Sequence, residues 1–138
     1  MVDDVLLNKA ATIERCVARA REEYHADRQR FLTNHTRQDA AILNIQRACE
    51  AALDMGHIVL RHDGLGVPQS ARDVFNLLAD ARRISPERAQ TLKNMVGFRN
   101  IAVHDYQAIQ IPITIAIIEA HLDDLLDFSK EMITSSRA

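Results

Sequence analysis

Arg99, His104 and Tyr106 lie within eight positions of one another and carry side chains that could do chemistry. An imidazole can accept or donate a proton near neutral pH. A guanidinium can bind a phosphate oxygen through two hydrogen bonds and offset negative charge. Each residue also has a structural explanation, as an ion pair, a histidine at a helix end or a packed tyrosine. The pattern as a whole must therefore carry the interpretation.

Arg99 is predicted to lie on the inner face of a helix. Leu92, Val96 and Val103 recur at the spacing of a buried helical stripe, with Met95 beside them, and Arg99 falls in its middle. A guanidinium is rarely placed on a core face without a partner or a task. Either it reaches solvent, or it pairs with an acid of another helix, or it has a function.

His104 follows Arg99 by five positions, so the two side chains would point ~140° apart on a continuous helix. They would meet within one chain only if the helix unwinds near Val103. Otherwise they would meet the same residues of a second chain across a dimer axis.

The string GFRNIAVHDY at residues 97–106 resembles the R-x4-H-x-Y signature of the HepT proteins in the HEPN superfamily. Residues 44–51, 66–73 and 92–97 also resemble the corresponding segments of that family. The likeness covers the chain from about Val5 to Lys130. An R-x4-H pattern alone is common, but the extended string in a helical chain of this length is specific.

The resemblance implies a metal-independent endoribonuclease that works as a homodimer, with its two motifs meeting in a cleft between the subunits. Arg99 and His104 would be the catalytic residues, and Asn100 and Lys93 would make supporting contacts to RNA. RNA supplies its own nucleophile, the 2′-OH beside the scissile phosphate, so we expect a cyclic phosphate on one product. Whether the substrate is tRNA or mRNA stays open, as does the assignment of acid and base.

The resemblance also implies a partner and a modification. In the similar systems, which are type VII toxin–antitoxin pairs, the antitoxin is MntA, a minimal nucleotidyltransferase that transfers AMP from ATP onto the motif tyrosine, here Tyr106. Such a bulky, negatively charged group beside His104 would fill the RNA cleft and repel substrate phosphate. The alternative is a non-catalytic helical module that docks a nucleotidyltransferase, with Arg99 paired to Asp39, Glu50 or Asp73. A plain helical scaffold would not explain the inward arginine.

The remaining basic residues and the metal ligands offer less. Lys93, Arg83 and Arg88 lie near enough in sequence to contact phosphate, although a solvated face explains them as well. No two of the six histidines have the spacing of a helical metal site, and no C-x-x-C occurs, so neither a metal nor a cofactor is predicted. No glycine-rich phosphate loop follows a strand.

Composition favours one ordinary globular domain over residues 1–138. The chain is 47% hydrophobic, 26% charged and carries a formal net charge of −2, which is not the balance of a bulk nucleic-acid binder. Any RNA contact must therefore be local. Cys16 and Cys49 fall on apolar helical faces and are expected to be buried thiols. No secretory segment or apolar span is visible, so we expect a soluble, cytoplasmic protein.

The elements that would position these residues are all helical, and we predict an antiparallel HEPN-type bundle of four to five helices. One apolar stripe covers residues 6–24, a polar loop with frayed helix ends follows at 26–37, and a helix is expected from about Asp39 to Leu60. Ser70 should cap a short helix. A longer helix should start at the Ser85-Pro86-Glu87 cap and run towards Val103, and a last one should cover residues 111–133. Apolar residues away from the main seam, Ile117, Leu126 and Phe128, suggest a second buried face and hence a homodimer.

Overall fold

The computed structural model describes residues 2–137, and over that range the chain contains helices and no strand. The α-helices are α1 (Val2–His25), α2 (Arg28–Phe31), α3 (His35–Asp63), α4 (Ala71–Asp80), α5 (Pro86–His104), α6 (Ile111–Ala120) and α7 (Leu122–Arg137), with a 3-10 turn at Tyr106–Ala108. The all-α prediction is confirmed. The described helices are seven rather than four or five, because two predicted segments divide differently.

The segment at residues 26–37, predicted as a loop with frayed helix ends, contains the short helix α2 and the first turn of α3, joined by turns. Asp27 accepts a hydrogen bond from the backbone N–H of Arg30 and so caps α2. Asn34 accepts one from Arg37 N at 3.1 Å and starts α3 at His35, ahead of the predicted start near Asp39. These capping side chains satisfy backbone donors that would otherwise be exposed. The polar composition therefore reflects both the connecting turns and the side chains that cap the helix starts.

The prediction of one helix across residues 111–133 is wrong. Helix α6 ends at Ala120. The backbone of His121 (φ −125°, ψ −6°) leaves the helical conformation and separates α6 from α7. Asp123 and Asp124 lie in the first turn of α7, where negative charge favours a new helix start. Arg88 Nη1 lies 2.8 Å from Asp124 Oδ1 and ties that turn to α5.

Helix α3 lies at the centre and packs against α1, α4, α5 and α7. Its inner face carries small residues, among them Ala48, Ala52 and Gly56, all of them buried. A Cβ added to Gly56 would lie 2.5 Å from Val74 Cγ1. The small residues thus let α4 approach α3 closely. Both cysteines are buried and free, which is as predicted.

The caps predicted around α4 and α5 are present. Ser70 accepts a hydrogen bond from Asp73 N, and Ser85 accepts one from Arg88 N, each at 3.1 Å. Pro86 occupies the first turn of α5, where its fixed φ suits a helix start. These caps determine where α5 begins, and α5 carries the residues of interest. Of the helices described over residues 2–137, none is both long and apolar enough to cross a membrane.

Candidate functional site

One face of α5 carries a polar stripe. At ~100° per residue, Lys93, Gly97, Asn100 and His104 fall within roughly 60° of one another around the helix axis. Lys93 and Asn100 are half-buried, and His104 is exposed at the last position of the helix. The structure therefore brings three of the predicted site residues onto one surface, which we call the α5 stripe.

Arg72 joins the α5 stripe from α4. Its Nε donates a hydrogen bond to the backbone oxygen of Lys93 at 3.3 Å. Its Nη2 lies over Gly97, where an added Cβ would come within 2.8 Å. Lys93 Nζ donates to Asn76 Oδ1 at 2.9 Å and is held beside it. Arg72 was not predicted from the sequence, although a glycine inside a helix is itself a sign of close approach by another group.

Arg99 lies about 120° around α5 from Lys93, on the side of the core. It is half-buried, and its Nε is fully covered without a hydrogen-bond partner among the described residues. The side chain lines a recess between α3 and the start of α4, together with Glu50, Asp54, His57, Gln69, Ser70 and Ala71.

The ion pairs considered for Arg99 under the non-catalytic alternative are not found within residues 2–137. Asp39 accepts a hydrogen bond from Tyr106. Glu50 accepts one from Gln46 at 2.9 Å, and Asp73 accepts one from the backbone of Gln69 at 2.9 Å. None of the three carboxylates lies within 4.0 Å of the Arg99 nitrogens. Arg99 is therefore an inward guanidinium with an open polar recess in front of it.

Arg99 and His104 do not converge within one chain. Helix α5 stays helical through Val103 to His104, and Asp105 N donates to Ile101 O at its end. The unwinding that would bring the two side chains together is absent, so they point ~140° apart. No hydrogen bond or ion pair involves the His104 ring within the described range, which leaves both of its nitrogens available.

An apolar surface adjoins His104. Val103, predicted on the inner stripe, is 46% exposed, because α5 extends past the core at this end. Ile101 and Ile113 are 41% and 50% exposed. The residues predicted to form a second buried face lie elsewhere: Ile117 and Phe128 are in the core of the chain and Leu126 packs against it. That part of the sequence interpretation is wrong.

Tyr106 begins the 3-10 turn and is 42% exposed. Its hydroxyl donates a hydrogen bond to Asp39 on α3. Burial, the hydrogen bond to Asp39 and the charge of that carboxylate together raise the pKa of the Tyr106 phenol above its usual range. The hydroxyl is therefore protonated at neutral pH, accessible and held by an acid.

Two of the candidate phosphate contacts are already engaged. Arg83 Nη1 lies 2.6 Å from Asp63 Oδ2. Arg88 contacts Asp124 at 2.8 Å and Glu131 at 2.7 Å. Over residues 2–137 no group of three or more histidine, cysteine, aspartate or glutamate side chains is arranged to hold a metal ion.

An all-helical bundle that ends its fifth helix in arginine and histidine, with a tyrosine just beyond, has the features of a HEPN-type protein. The chain belongs to the ribonuclease HepT-like family, whose match covers residues 13–132. This membership confirms the prediction of an RNA endonuclease.

The chain is similar to the mRNA nuclease HepT of Shewanella oneidensis, with 44% identity over 127 residues, covering 92% of this chain and 95% of that protein. A structure of the tri-AMPylated Shewanella oneidensis HEPN toxin in complex with MNT antitoxin superposes with a TM-score of 0.88 and 44% identity, covering 93% of this chain and 96% of the other. A crystal structure of a toxin–antitoxin with AMP-PNP gives a TM-score of 0.89 and 43% identity at the same coverage.

Proposed function

We propose that this chain is the toxin of a HepT/MntA-type toxin–antitoxin pair and cleaves RNA at the Arg99–His104 segment. The observation that carries the site assignment is Arg99, a guanidinium on the core side of α5 whose Nε is covered and unpartnered within the described residues. An unpaired buried donor lowers the stability of the folded chain. A function that needs the guanidinium at this position explains why it is present. The name of the Shewanella relative supports mRNA as the substrate.

The proposed chemistry uses the ribose 2′-OH as nucleophile. His104, exposed and free of hydrogen bonds within the described residues, moves a proton to or from the reacting oxygens. Arg99 binds a phosphate oxygen and offsets the charge that develops in the transition state. The phosphate backbone of the RNA lies along the α5 stripe, where it contacts Asn100, Lys93 and Arg72. One product then carries a cyclic phosphate.

A second copy of the chain completes the proposed site. Because α5 stays helical, Arg99 and His104 of one chain cannot face the same phosphate, but those of two chains can across an axis. The exposed apolar side chains beside His104, namely Ile101, Val103 and Ile113, are the surface that such a homodimer would bury.

The antitoxin in this proposal is an MntA-type nucleotidyltransferase that transfers AMP from ATP to Tyr106. One similar solved structure is that of a tri-AMPylated HEPN toxin in complex with MNT antitoxin. Of the two tyrosines in the chain, Tyr24 is buried and Tyr106 is 42% exposed, which supports Tyr106 as the acceptor. We further propose that the chain acts as one domain in the cytoplasm and needs no cofactor of its own.

The test of catalysis compares the purified chain with its His104→Ala variant on RNA, in the presence of a metal chelator. His35→Ala is the control, because His35 is also exposed but lies at the start of α3. We expect cleavage by the wild type and the control only. Cleavage by His104→Ala at the wild-type rate would refute the assignment of His104. If the wild type and both variants are dimeric and none cleaves RNA, the result would favour the non-catalytic module that docks a nucleotidyltransferase.

A further inference from the structure

The Tyr106 hydroxyl is held by a residue 67 positions away in the sequence, Asp39 of α3. Tyr106 donates the hydrogen bond and the carboxylate accepts it, so the phenolic proton already points at a base. Asp39 is exposed, and within residues 2–137 no lysine, arginine or histidine forms an ion pair with it. Among the described residues, the Asp39 carboxylate is therefore an unpaired negative charge in direct contact with the Tyr106 hydroxyl.

We propose that Asp39 is a catalytic residue of the modification reaction: it orients the Tyr106 hydroxyl and accepts its proton when the tyrosine is adenylylated. The inference rests on the proposed function above, in which Tyr106 is the acceptor. It adds that the substrate chain supplies the general base for its own modification, while the nucleotidyltransferase supplies the nucleoside triphosphate and its metal ion.

The step balances as a simple displacement. The phenolic oxygen of Tyr106 attacks the α-phosphorus of ATP, forming the O–P bond as the bond to the β-phosphate oxygen breaks. Pyrophosphate leaves with the electron pair, and the phenolic proton moves to an Asp39 carboxylate oxygen, from which it passes to solvent. No electron transfer and no further reactant is involved.

A base is needed because the phenol does not ionise by itself near neutral pH. The pKa of Tyr106 lies above its usual range, through burial and through the adjoining Asp39 carboxylate. A neutral phenol is a weak nucleophile, and a positioned carboxylate removes its proton as the new bond forms. The same contact that raises the pKa in the ground state thus supplies the acceptor in the transition state.

The geometry also explains why the adjoining acid does not fill this role. Asp105 directly precedes Tyr106 and is exposed, but its side chain makes no hydrogen bond to the phenol among the described contacts. It caps the junction of α5 and the 3-10 turn through its backbone. Asp105→Asn therefore removes one negative charge from the same surface without touching the reacting oxygen, which makes it the matched control.

The experiment measures AMP incorporation from ATP labelled at the α-phosphate, with the full chain, its cognate MntA-type nucleotidyltransferase and Mg²⁺. We expect Asp39→Asn to lower the single-turnover rate at least ~100-fold, the usual scale of a lost general base. Asp39→Glu should recover part of that rate, and Asp105→Asn should stay within about 2-fold of wild type. RNA cleavage by unmodified Asp39→Asn would report that the variant is folded.

The pH profile separates a base from a structural contact. The Asp39→Asn rate should rise about tenfold per pH unit, because without the carboxylate the phenolic proton must first be lost to solvent hydroxide. The wild-type rate should be nearly level between about pH 6 and 8. A slowed Asp39→Asn with the wild-type profile would overturn the proposal, as would an unchanged rate or a loss of nucleotidyltransferase binding. Incorporation of labelled AMP into the Tyr106→Phe variant would instead refute Tyr106 as the acceptor.

Discussion

Replacing Arg99 with methionine should separate stability from catalysis. Arg99 Nε is covered without a hydrogen-bond partner among residues 2–137. A buried donor left unpaired costs about 1–3 kcal/mol of folding free energy. Methionine keeps the aliphatic stem that packs beside the core and removes that donor. We therefore expect the free energy of unfolding to stay level or rise, by about 1 kcal/mol, since the side chain is only half-buried.

Catalysis should respond in the opposite direction. Removing one group that stabilises developing phosphate charge typically lowers the rate about 10²- to 10³-fold, or ~3–4 kcal/mol of transition-state stabilisation. Arg99→Met should thus be a well-folded chain that hardly cleaves RNA. The two expected free-energy changes have opposite signs, so a single loss of structure cannot produce both.

Arg88→Met is the matched control, because it changes the same residue types on the same helix. Arg88 contacts Asp124 at 2.8 Å and Glu131 at 2.7 Å. Breaking such a half-buried network costs about 1–3 kcal/mol, so this variant should lose stability but retain cleavage per folded molecule.

Urea unfolding at constant slope measures the first quantity, and initial rates of RNA cleavage measure the second. If Arg99→Met loses several kcal/mol of stability and still cleaves, Arg99 is a structural residue and the site assignment fails.

Three further predictions concern the scaffold. Gly56→Ala should lower the free energy of unfolding by about 1–3 kcal/mol in urea titrations, because an added Cβ would meet an α4 side chain at 2.5 Å. Burial raises the pKa of Cys49 to about 12, so a thiol reagent at pH 8 should label it only after unfolding; rapid labelling of the native chain would contradict its buried position. Hydrogen bonds from His62 and Arg83 lower the pKa of Asp63 below its ordinary 3.8. The stability advantage of wild type over Asp63→Asn should therefore be full above that pH and vanish as the pH falls through the lowered value, whereas a constant difference would exclude this linkage.

Local patterns predicted most of the fold. The 3–4 spacing of apolar residues identified the long helices, and the Ser85-Pro86-Glu87 cap located the start of α5, because both are properties of neighbouring residues. The break at His121 was missed because its cause is tertiary. Arg88 of α5 holds Asp124 in the first turn of α7, and the apolar spacing runs across the break without interruption.

The candidate site divides in the same way. Arg99, Asn100 and His104 could be predicted because one short string contains them. Their supports could not, because Asp39 reaches Tyr106 from α3 and Arg72 reaches Lys93 from α4. Asp39 was considered as a partner of Arg99, but it pairs with the tyrosine instead. Which polar residues meet across helices depends on helix packing, and spacing along the chain carries no record of it.

Net charge misleads for this protein, and the ion pairs show why. The chain is formally −2, yet several acids are paired away from the α5 stripe: Asp63 with Arg83, and Asp124 and Glu131 with Arg88. Their fields are largely cancelled at close range.

The α5 stripe itself carries Arg72 and Lys93, held by neutral partners, a backbone oxygen and Asn76, so their charge is not offset by a nearby carboxylate. A few uncompensated cations suffice to attract a phosphate backbone locally. Under the proposed function the same balance of charges explains silencing, because an AMP group on Tyr106 would bring a phosphate charge beside His104 and oppose the two cations of the α5 stripe.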